Sequence, residues 1–439
     1  MGDTKNAGGI CAGVAGTPII GPDNAIAQVL PDMPSRQEVV AELARRWHPT
    51  PAIEEVPPTV DAALGRVLAR DVTAAFDFPP AQTSGRDGIA VRFDDFAAGI
   101  PDASAWVRGE DYATADTGDD VPDAFDTVIQ VEDLRFAGAP GSKQGGTPGG
   151  CSFDDGFTIA QAPTQRGEHV NAAGSAFHEG DVIVPAGSRL TPERLSTAVA
   201  CGAQALEVYA RPRVGIIPTG DELVPAGTTP ARGQTVNSNA TLLAAYVRQL
   251  GGEPVVHDIV LDRHDLIAAA VDEALSCCDI VLVNAGSSKG SEDCAPIVLA
   301  ERAEAVIHHG QRCAPGKPSM SALTPAGQVM CVIPGPPIAA DSSMHWLVFS
   351  LVAQWFGVEP YERTVRAVID QDMEAKPFEV WRRCRLERGE GGMLRAHLMP
   401  MGGAPTLGHA DGILRTPTVE DYHAGDAVDV LLLTDGFAL

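Results

Sequence analysis

Basic residues are scarce in this chain, and it has few of the sequence features that mark metal-binding, secreted or membrane-spanning proteins. Its 439 residues contain 32 Lys and Arg against 58 Asp and Glu, which gives a formal net charge of -26. Such a charge argues against general binding to nucleic acids and to anionic membrane surfaces. An anionic ligand would therefore need a locally basic pocket.

The nine cysteines form no CxxC motif and no other paired metal-binding spacing. Buried, reduced thiols of a cytoplasmic protein account for them. No run approaches the ~18 apolar residues that a membrane span needs. The first 32 residues are rich in Gly, Ala and Pro, and Lys5 is their only basic residue. They lack the charged start of a signal peptide, so we predict a cytoplasmic protein whose residues 1–34 form a flexible leader.

From residue 213 onwards, apolar runs alternate with helical patterns. The predicted order is strand 214–217, helix 240–250, strand 254–260, helix 264–277 and strand 280–283. Ser238 and Asn239 are the predicted cap of the first of these helices. Strands that alternate with helices at this rhythm are typical of a doubly wound parallel sheet.

The remaining parts of the chain differ in character. Ser35 is a predicted helix cap, and the helix after it runs to Trp47. Residues 77–164 are rich in Asp, Gly and Pro with short β-like runs, which indicates a small β-rich domain. The Gly-rich stretch 137–150 reads as a disordered insertion in that domain. Residues 356–439 follow a long helix and have the pattern of a small all-β domain.

Polar loops follow the first and third strands of the predicted sheet. Residues 219–222 end the first apolar run, and residues 284–293 follow the third. In open α/β sheets, strands that end in small residues and carboxylates build sites for charged ligands. Glu222 and Asp293 are candidate ligands of Mg²⁺, which prefers oxygen atoms. Asp221 and Glu222 would equally suit the cap and first turn of a helix.

Candidate anion-binding groups lie in the second loop and in a later Pro-Gly-Lys-Pro turn. The second loop offers hydroxyls, backbone amides and one cation to a phosphate or oxyanion. Its candidate residues are Gly286, Ser287, Ser288, Lys289 and Gly290. Lys317 stands between two prolines, which suits a positioned charge as well as a solvated turn. Polar turns at 84–88 and 117–120 are, by sequence alone, also ordinary turns.

The order of the motifs resembles that of the molybdopterin molybdenumtransferase family, which includes MoeA and the gephyrin E domain. No single motif is decisive, but together they are collinear from residue 64 to residue 337. They are LGRVLARDV, PPAQTSGRDGIAV, TGDD with DTVIQVED, GEHVNAAG, GDVIVPAG, RPRVGIIPTGDELV, NSN, the Gly/Ser loop, PGKP and PGPP. The resemblance covers about residues 35–439 and is weakest at the end.

The resemblance implies a multidomain α/β subunit. A linker domain is formed by two segments, and a β-rich lid lies between them in sequence. A doubly wound domain like that of molybdopterin adenylyltransferase follows, and then a C-terminal β-barrel-like domain. The implied boundaries are 35–76 and 165–210 for the linker, 77–164 for the lid, 211–355 for the doubly wound domain and 356–439 for the last. The family is usually a homodimer whose active site lies between one subunit's sheet and the other's lid.

The implied reaction inserts molybdate into adenylylated molybdopterin, with Mg²⁺-dependent release of AMP. The catalytic candidates carried over by motif are Asp87, Glu222, Asp293 and Lys317, with Glu222 and Asp293 as metal ligands. Ser84, Thr117 and Arg383 join the Gly/Ser loop as substrate-binding candidates. Implied protein partners are molybdopterin adenylyltransferase and a client molybdoenzyme.

The chain departs from the family pattern at several candidate positions. Ala176 and Asn237 stand where the family has carboxylates, and Ala314 stands where it has a lysine. Lys289 adds a cation to the Gly/Ser loop, and Arg312 is close in sequence to the position where Ala314 replaces the family's lysine. Two alternatives therefore stay open beside the enzyme. One is a paralogue that binds molybdopterin or finished cofactor and delivers it to a client, and the other is a non-enzymatic dimeric scaffold.

Overall fold

The computed structural model describes residues 33–136, 153, 156–285, 294–360, 362–400, 404–416 and 420–433, with the short strands β1 (Cys11–Ala12) and β2 (Pro18–Ile19). The chain divides into two compact units. Glu54–Val208 form one, and Met1–Ile53 together with Tyr209–Leu439 form the other. None of the described helices is long and apolar enough to cross a membrane. The Gly-rich insertion and most of the leader lie outside the described residues, and the finer domain boundaries stay a prediction.

Helix α1 (Arg36–Arg46) begins where the sequence predicts. The Ser35 hydroxyl accepts a hydrogen bond from the Glu38 amide at 3.2 Å, and the Glu38 carboxylate accepts one from the Ser35 amide at 2.6 Å. This reciprocal capping satisfies two backbone donors that the first helical turn would otherwise leave free. Val39, Leu43 and Trp47 are buried, so the predicted helical spacing is confirmed as the buried face.

Short strands dominate the unit Glu54–Val208. Its strands are β3 (Ile53–Val56), β4 (Val72–Thr73), β5 (Thr83–Ser84), β6 (Gly88–Val91), β7 (Ala113–Ala115), β8 (Thr127–Gln130), β9 (Leu134–Phe136), β10 (Phe157–Ile159), β11 (Val170–Asn171), β12 (Val182–Val184) and β13 (Leu206–Tyr209). Its described α-helices are α2 (Val60–Ala63) and α3 (Pro192–Ala200). Strand β6 is central in an antiparallel sheet with β7 and β8. An apolar cluster that includes Ile89, Ile129 and Phe157 covers this sheet.

Gly88 is required by the close approach of β6 to β8. A Cβ atom at this position would lie 2.0 Å from the Ile129 carbonyl oxygen, which is backbone and cannot turn aside. We expect Gly88→Ala to lower the free energy of unfolding by about 3 kcal/mol or more, the upper range for overpacking. Gly109→Ala is the matched control, because a Cβ there meets nothing within 4 Å. Equal melting temperatures for the two variants would contradict this reading.

The second unit contains the predicted doubly wound domain. Its strands are β14 (Arg213–Pro218), β15 (Leu223–Val224), β16 (Thr235–Val236), β17 (Glu253–Val256), β18 (Ile280–Ala285), β19 (Ala305–His309), β20 (Cys313–Ala314), β21 (Met320–Leu323) and β22 (Val329–Pro334). Its described helices are α4 (Asn239–Leu250), α5 (His264–Leu275), α6 (Ala295–Arg302), α7 (Pro337–Ser343) and α8 (Phe349–Trp355). A π-helical segment, Met344–Val348, joins α7 to α8, so the predicted long helix is continuous but not uniform.

The main sheet has the strand order β17-β14-β18-β22-β21-β19. The first four strands are parallel, which confirms the predicted architecture. The strand direction changes at one edge of the sheet, because β21 pairs antiparallel with both β22 and β19. The chain turns at residues 324–328 between β21 and β22, and a turn this short can only join antiparallel strands. Strand β17 also ends at Val256, four residues before the predicted end.

The C-terminal region is a closed barrel, as the resemblance implies. Its strands are β23 (Thr364–Ile369), β24 (Glu379–Arg388), β25 (Leu394–Leu398), β26 (Gly412–Arg415) and β27 (Ala427–Leu432). They follow the order β24-β25-β23-β27-β26, and β26 pairs again with β24 to close the ring. A short helix, α9 (Ala404–Leu407), interrupts the predicted all-β pattern. Strand β20 of the α/β domain pairs with β24, which joins the loop around Lys317 to the barrel.

Candidate functional site

A cavity of about 230 Å³ lies at the carboxyl ends of β14, β18 and β22. Ligands of open α/β sheets bind at this edge. Three chain segments contribute polar side chains to the lining of the cavity, among them Thr219, Glu222, Asn237, Asn239 and Asn284. The residues after β22, Gly335 to Pro337, complete the wall. The cavity is smaller than the roughly 300 Å³ of a typical whole-ligand pocket, so it suits one part of a larger substrate.

Two buried asparagines fix the cavity floor. Asn284 donates both hydrogens of its amide to the carbonyls of Ile333 and Pro334, at 3.1 and 3.0 Å. Its amide oxygen accepts a hydrogen bond from Asn239 at 3.0 Å, and Asn239 also donates to the Gly335 carbonyl at 2.7 Å. These bonds connect the ends of β18 and β22 to the start of α4. Buried, hydrogen-bonded amides of this kind hold a polar edge in one geometry. The Asn239 side-chain oxygen, in contrast, is buried and has no hydrogen-bond partner among the described residues.

Three carboxylates come together beside this cavity, and only Asp221 and Glu222 were candidates from the sequence. Asp221 and Glu222 follow β14, and Asp262 joins them because Val260 pairs with Thr219. The Asp262 amide donates to the Asp221 carboxylate at 3.1 Å. Burial raises the pKa of Asp262, and the charges of Asp221 and Glu222 raise it further. A cation here would relieve that repulsion. Asp262 lies in none of the motifs that carry the family resemblance. The only signal for it is its position two residues after Val260, which pairs with Thr219 at the end of β14.

The proposed metal ligands are only partly within the described part of the chain. Glu222 lines the cavity, whereas Asp293 lies outside the described residues. The Gly/Ser loop, with Gly286, Ser287, Ser288, Lys289 and Gly290, lies outside them as well. Among the residues that are described, no group of three His, Cys, Asp or Glu side chains is placed to hold a metal ion.

Lys317 lies on a turn that packs against α7. Its ammonium makes no hydrogen bond or ion pair with any described residue, and burial lowers its pKa. Gly316, beside it, has φ +106°, and a Cβ there would lie 3.2 Å from the Ser343 hydroxyl of α7. The turn therefore lies close against the helix, and the positive φ of Gly316 favours glycine at this position. A partly desolvated, unpaired ammonium on such a turn is suited to binding an anion.

Arg383 is buried on barrel strand β24, with 2% of its surface exposed. Its Nη2 group donates to the Asp341 carboxylate and, at 3.3 Å, to the Ser342 hydroxyl. Tyr246 donates to the other Asp341 oxygen at 2.6 Å, and His345 lies 3.0 Å from the Tyr246 hydroxyl. Burial lowers the pKa of Arg383 to about 10 and that of His345 to about 4. No motif marks Asp341 in the sequence, so this partner of Arg383 was not predicted.

The lid-side candidates lie together in the unit Glu54–Val208. Thr117 donates two hydrogen bonds to one Asp87 oxygen, from its amide and its hydroxyl, both at 2.7 Å. These bonds hold the pKa of Asp87 below its usual value, and the carboxylate is exposed. Ser84 is fully buried, and its hydroxyl bonds the backbone of Arg86. The structure thus pairs Asp87 with Thr117 and places the Ser84 hydroxyl in the turn that carries Asp87.

The departures from the family pattern have clear places in the structure. Ser238 is the N-cap residue of α4, as predicted, but the capping hydrogen bond is made by Asn237, whose side chain accepts from the Ala240 amide at 3.3 Å. Ser238 has helical dihedral angles, which turn its hydroxyl away from that role. Ala176 is exposed in the unit Glu54–Val208. Ala314 ends β20, and Arg312, two residues before it, lies 3.6 Å from Glu38.

Comparisons with known proteins cover most of the chain. The model of the MoeA N-terminal region (domain I and II) matches residues 34–202, and that of a probable molybdopterin binding domain matches residues 215–354. A protein of Nostoc sp. named molybdopterin molybdenumtransferase is 28% identical over 358 residues, 77% of this chain and 72% of that protein. A protein of the same name from Bacillus subtilis is 25% identical over 401 residues, 86% and 89% of the two chains.

The fold agrees with these matches. The crystal structure of a MoeA protein from Pyrococcus horikoshii superposes with a TM-score of 0.72 at 22% identity, over 91% of this chain and 100% of that one. The family models match consecutive regions in the order in which the motifs occur, and the barrel follows them. The chain therefore belongs to the MoeA, or molybdopterin molybdenumtransferase, family of molybdenum cofactor biosynthesis proteins.

Proposed function

We propose that this chain inserts molybdate into adenylylated molybdopterin and releases AMP in a Mg²⁺-dependent reaction. The observation that carries the proposal is the polar cavity at the carboxyl ends of β14, β18 and β22, inside the region that matches a molybdopterin binding domain. Glu222 lines this cavity, and Lys317 offers an unpaired cation on the same unit. Cleavage of a phosphoanhydride needs chiefly positioning and charge stabilisation, which these groups supply.

The carboxylates beside the cavity suit Mg²⁺. Their oxygens are hard ligands. Burial raises the pKa of Asp262, the charges of Asp221 and Glu222 raise it further, and a cation would offset those charges. Mg²⁺ is commonly held by one or two carboxylates, with water and substrate phosphates completing its shell. We propose Glu222 and Asp293 as its protein ligands. When bound, the ion would neutralise charge on the phosphoanhydride, while Lys317 binds an anionic oxygen of molybdate or phosphate.

We propose that Asp87 and Thr117 act from the lid side of the same reaction. The two hydrogen bonds from Thr117 keep the Asp87 carboxylate ionised and fixed in direction, which suits a group that must meet a substrate at one point. Ser84 and Arg383 are buried, so we give them supporting roles. Ser84 shapes the turn that carries Asp87, and Arg383 joins the barrel to α7. The Gly/Ser loop is proposed to bind phosphate through Ser287, Ser288 and Lys289, with the amides of Gly286 and Gly290.

A homodimer is part of the proposal. Large apolar side chains are exposed on the unit Glu54–Val208, including Val60 at 66%, Val182 at 54% and Val199 at 52%. A dimer interface on this unit would cover side chains of this kind. We further propose a cytoplasmic protein that receives its substrate from molybdopterin adenylyltransferase and passes its product to a client molybdoenzyme. Light scattering would show the dimer as twice the 45.9 kDa chain mass.

One observation favours the second candidate, a cofactor carrier without turnover. The side chain of Asn237, which stands for a family carboxylate, is used to cap α4. If the lost carboxylate is essential, the cavity would still bind the pterin but not complete the reaction. A carrier would bind adenylylated molybdopterin tightly and release no AMP. The non-enzymatic scaffold would do neither.

The test is AMP release by the purified chain supplied with adenylylated molybdopterin and Mg²⁺, with and without molybdate. We expect release that depends on both molybdate and Mg²⁺. Binding of the adenylate without release would replace the enzyme by the carrier. Absence of both binding and release would leave the scaffold.

A further inference from the structure

We propose that Gln311 is a positioning residue for Lys317, holding the turn that aims its ammonium. The inference rests on the proposed function only for what Lys317 binds. Gln311 directly follows Gly310 after β19, and none of its surface is exposed. A fully buried amide is normally placed to satisfy specific polar partners. Both oxygen-bearing partners of its side chain, the Gly316 carbonyl and the Ser319 hydroxyl, lie on the Lys317 turn. It also bonds Cys313, whose amide donates to the Gln311 carbonyl at 2.9 Å and whose sulfur accepts from the side-chain amide at 3.3 Å.

Gln311 makes three hydrogen bonds to this turn. Its backbone amide donates to the Lys317 carbonyl at 3.1 Å. Its side-chain amide donates to the Gly316 carbonyl at 3.0 Å, and its side-chain oxygen accepts from the Ser319 hydroxyl at 2.7 Å. The bonded groups belong to Gly316, Lys317 and Ser319, which are the residue before the lysine, the lysine itself and the second residue after it. They therefore fix the direction in which the Lys317 side chain leaves the backbone.

A second layer holds Gln311 in place. Buried His308 lies with Nε2 3.4 Å from the Ser319 hydroxyl and Nδ1 2.8 Å from the Ser321 hydroxyl. Burial lowers the pKa of His308 to about 3, so the ring is neutral and adds no competing charge. A series of hydrogen bonds thus runs from His308 through Ser319 to Gln311 and ends on the Lys317 turn. Fully satisfied buried networks hold their members in one geometry.

The physical consequence concerns the ammonium itself. On a free turn a lysine side chain would extend into water, where it keeps the entropy of its many rotamers. Here the turn is clamped by Gln311 on one side and pressed against Ser343 on the other. The side chain is held partly desolvated and unpaired, which strengthens its attraction for an oxyanion. Loosening the clamp should return the ammonium to a more aqueous environment.

The experiment measures the pKa of Lys317 directly by its pH-dependent acylation with acetic anhydride, read by mass spectrometry. The chain has five lysines, so the labelled peptides are few. Exposed Lys376, paired with Glu374, serves as the internal reference. In Gln311→Met we expect the pKa of Lys317 to rise towards its ordinary value, and the Kd for molybdate to rise about tenfold. Ser319→Ala removes only the bond to the Gln311 oxygen and the long contact to His308, so it should shift both quantities less, in the same direction.

Ser321→Ala is the matched control, because Ser321 belongs to the same buried cluster but its hydroxyl bonds His308 instead of Gln311 or Ser319. It should leave the Lys317 titration unchanged. An unchanged titration in folded Gln311→Met, or an equal shift in all three variants, would overturn the proposal. If Gln311→Met does not fold, the comparison of Ser319→Ala with Ser321→Ala decides it. A wild-type chain that shows no molybdate binding would count against the proposed function, while the titration would still test the positioning role.

Discussion

Glu222→Gln is expected to slow molybdate-dependent AMP release by about 10²–10⁴-fold, the range for loss of one well-placed acid or base. The amide keeps the size of the side chain but removes the negative charge beside the cavity. Of the two proposed metal ligands, only Asp293 would then remain. The measurement is the initial rate of AMP release at saturating Mg²⁺, with unfolding monitored in parallel.

Glu253→Gln is the matched control for this change. Glu253 begins β17, at the amino end of a strand in the same sheet, and its side chain is exposed. The same loss of charge at that end should leave the rate unchanged. Asp293→Asn, at the second proposed metal ligand, should lower the rate of AMP release as Glu222→Gln does. If Glu222→Gln and Asp293→Asn both release AMP at the wild-type rate, the proposed metal ligands are wrong.

Arg383→Met should lower the free energy of unfolding by about 3–5 kcal/mol, because it leaves the buried Asp341 carboxylate without its partner. Asp341→Leu should cost a similar amount for the converse reason. The double variant should recover most of the loss, since buried ion pairs can be replaced by apolar residues at little cost. Denaturant unfolding of the four proteins gives the coupling free energy of the pair. Additive losses would contradict the pairing.

The double variant also decides whether Arg383 contacts substrate. Its charge is already balanced by Asp341, so we expect the double variant to bind molybdate within about threefold of the wild-type affinity. A larger loss in a stable double variant would return Arg383 to the substrate-binding role that the resemblance implies. The stability measurements separate that result from simple unfolding.

Much of the fold follows from local patterns that the sequence displays directly. Helices α4 and α5 and the strands β14 and β18 were predictable because their apolar spacing is set within a few turns or residues. The antiparallel strand β21 was not, since its direction depends on a five-residue turn and on pairing with β22. The apolar pattern of the C-terminal region predicted only an all-β domain, and the barrel was predicted from the family resemblance.

The candidate site was only partly predictable, for a similar reason. Glu222 and Lys317 stand in recognisable loops, whereas Asp262 reaches the first loop through a bridge between Val260 and Thr219, residues distant in sequence. Asp341 and Gln311 act through contacts that only the folded chain creates. A carboxylate and an amide in unremarkable segments give no local signal of such pairing. Long-range partners of this type are what a single sequence does not show.

The most direct test of the central claim is the stoichiometry of one reaction mixture. Purified chain is given adenylylated molybdopterin, Mg²⁺ and molybdate, and the molybdenum bound to pterin is compared with the AMP released. The account predicts one molybdenum bound for each AMP released, and no AMP without molybdate. AMP release that is independent of molybdate, or release without molybdenum on the pterin, would contradict it.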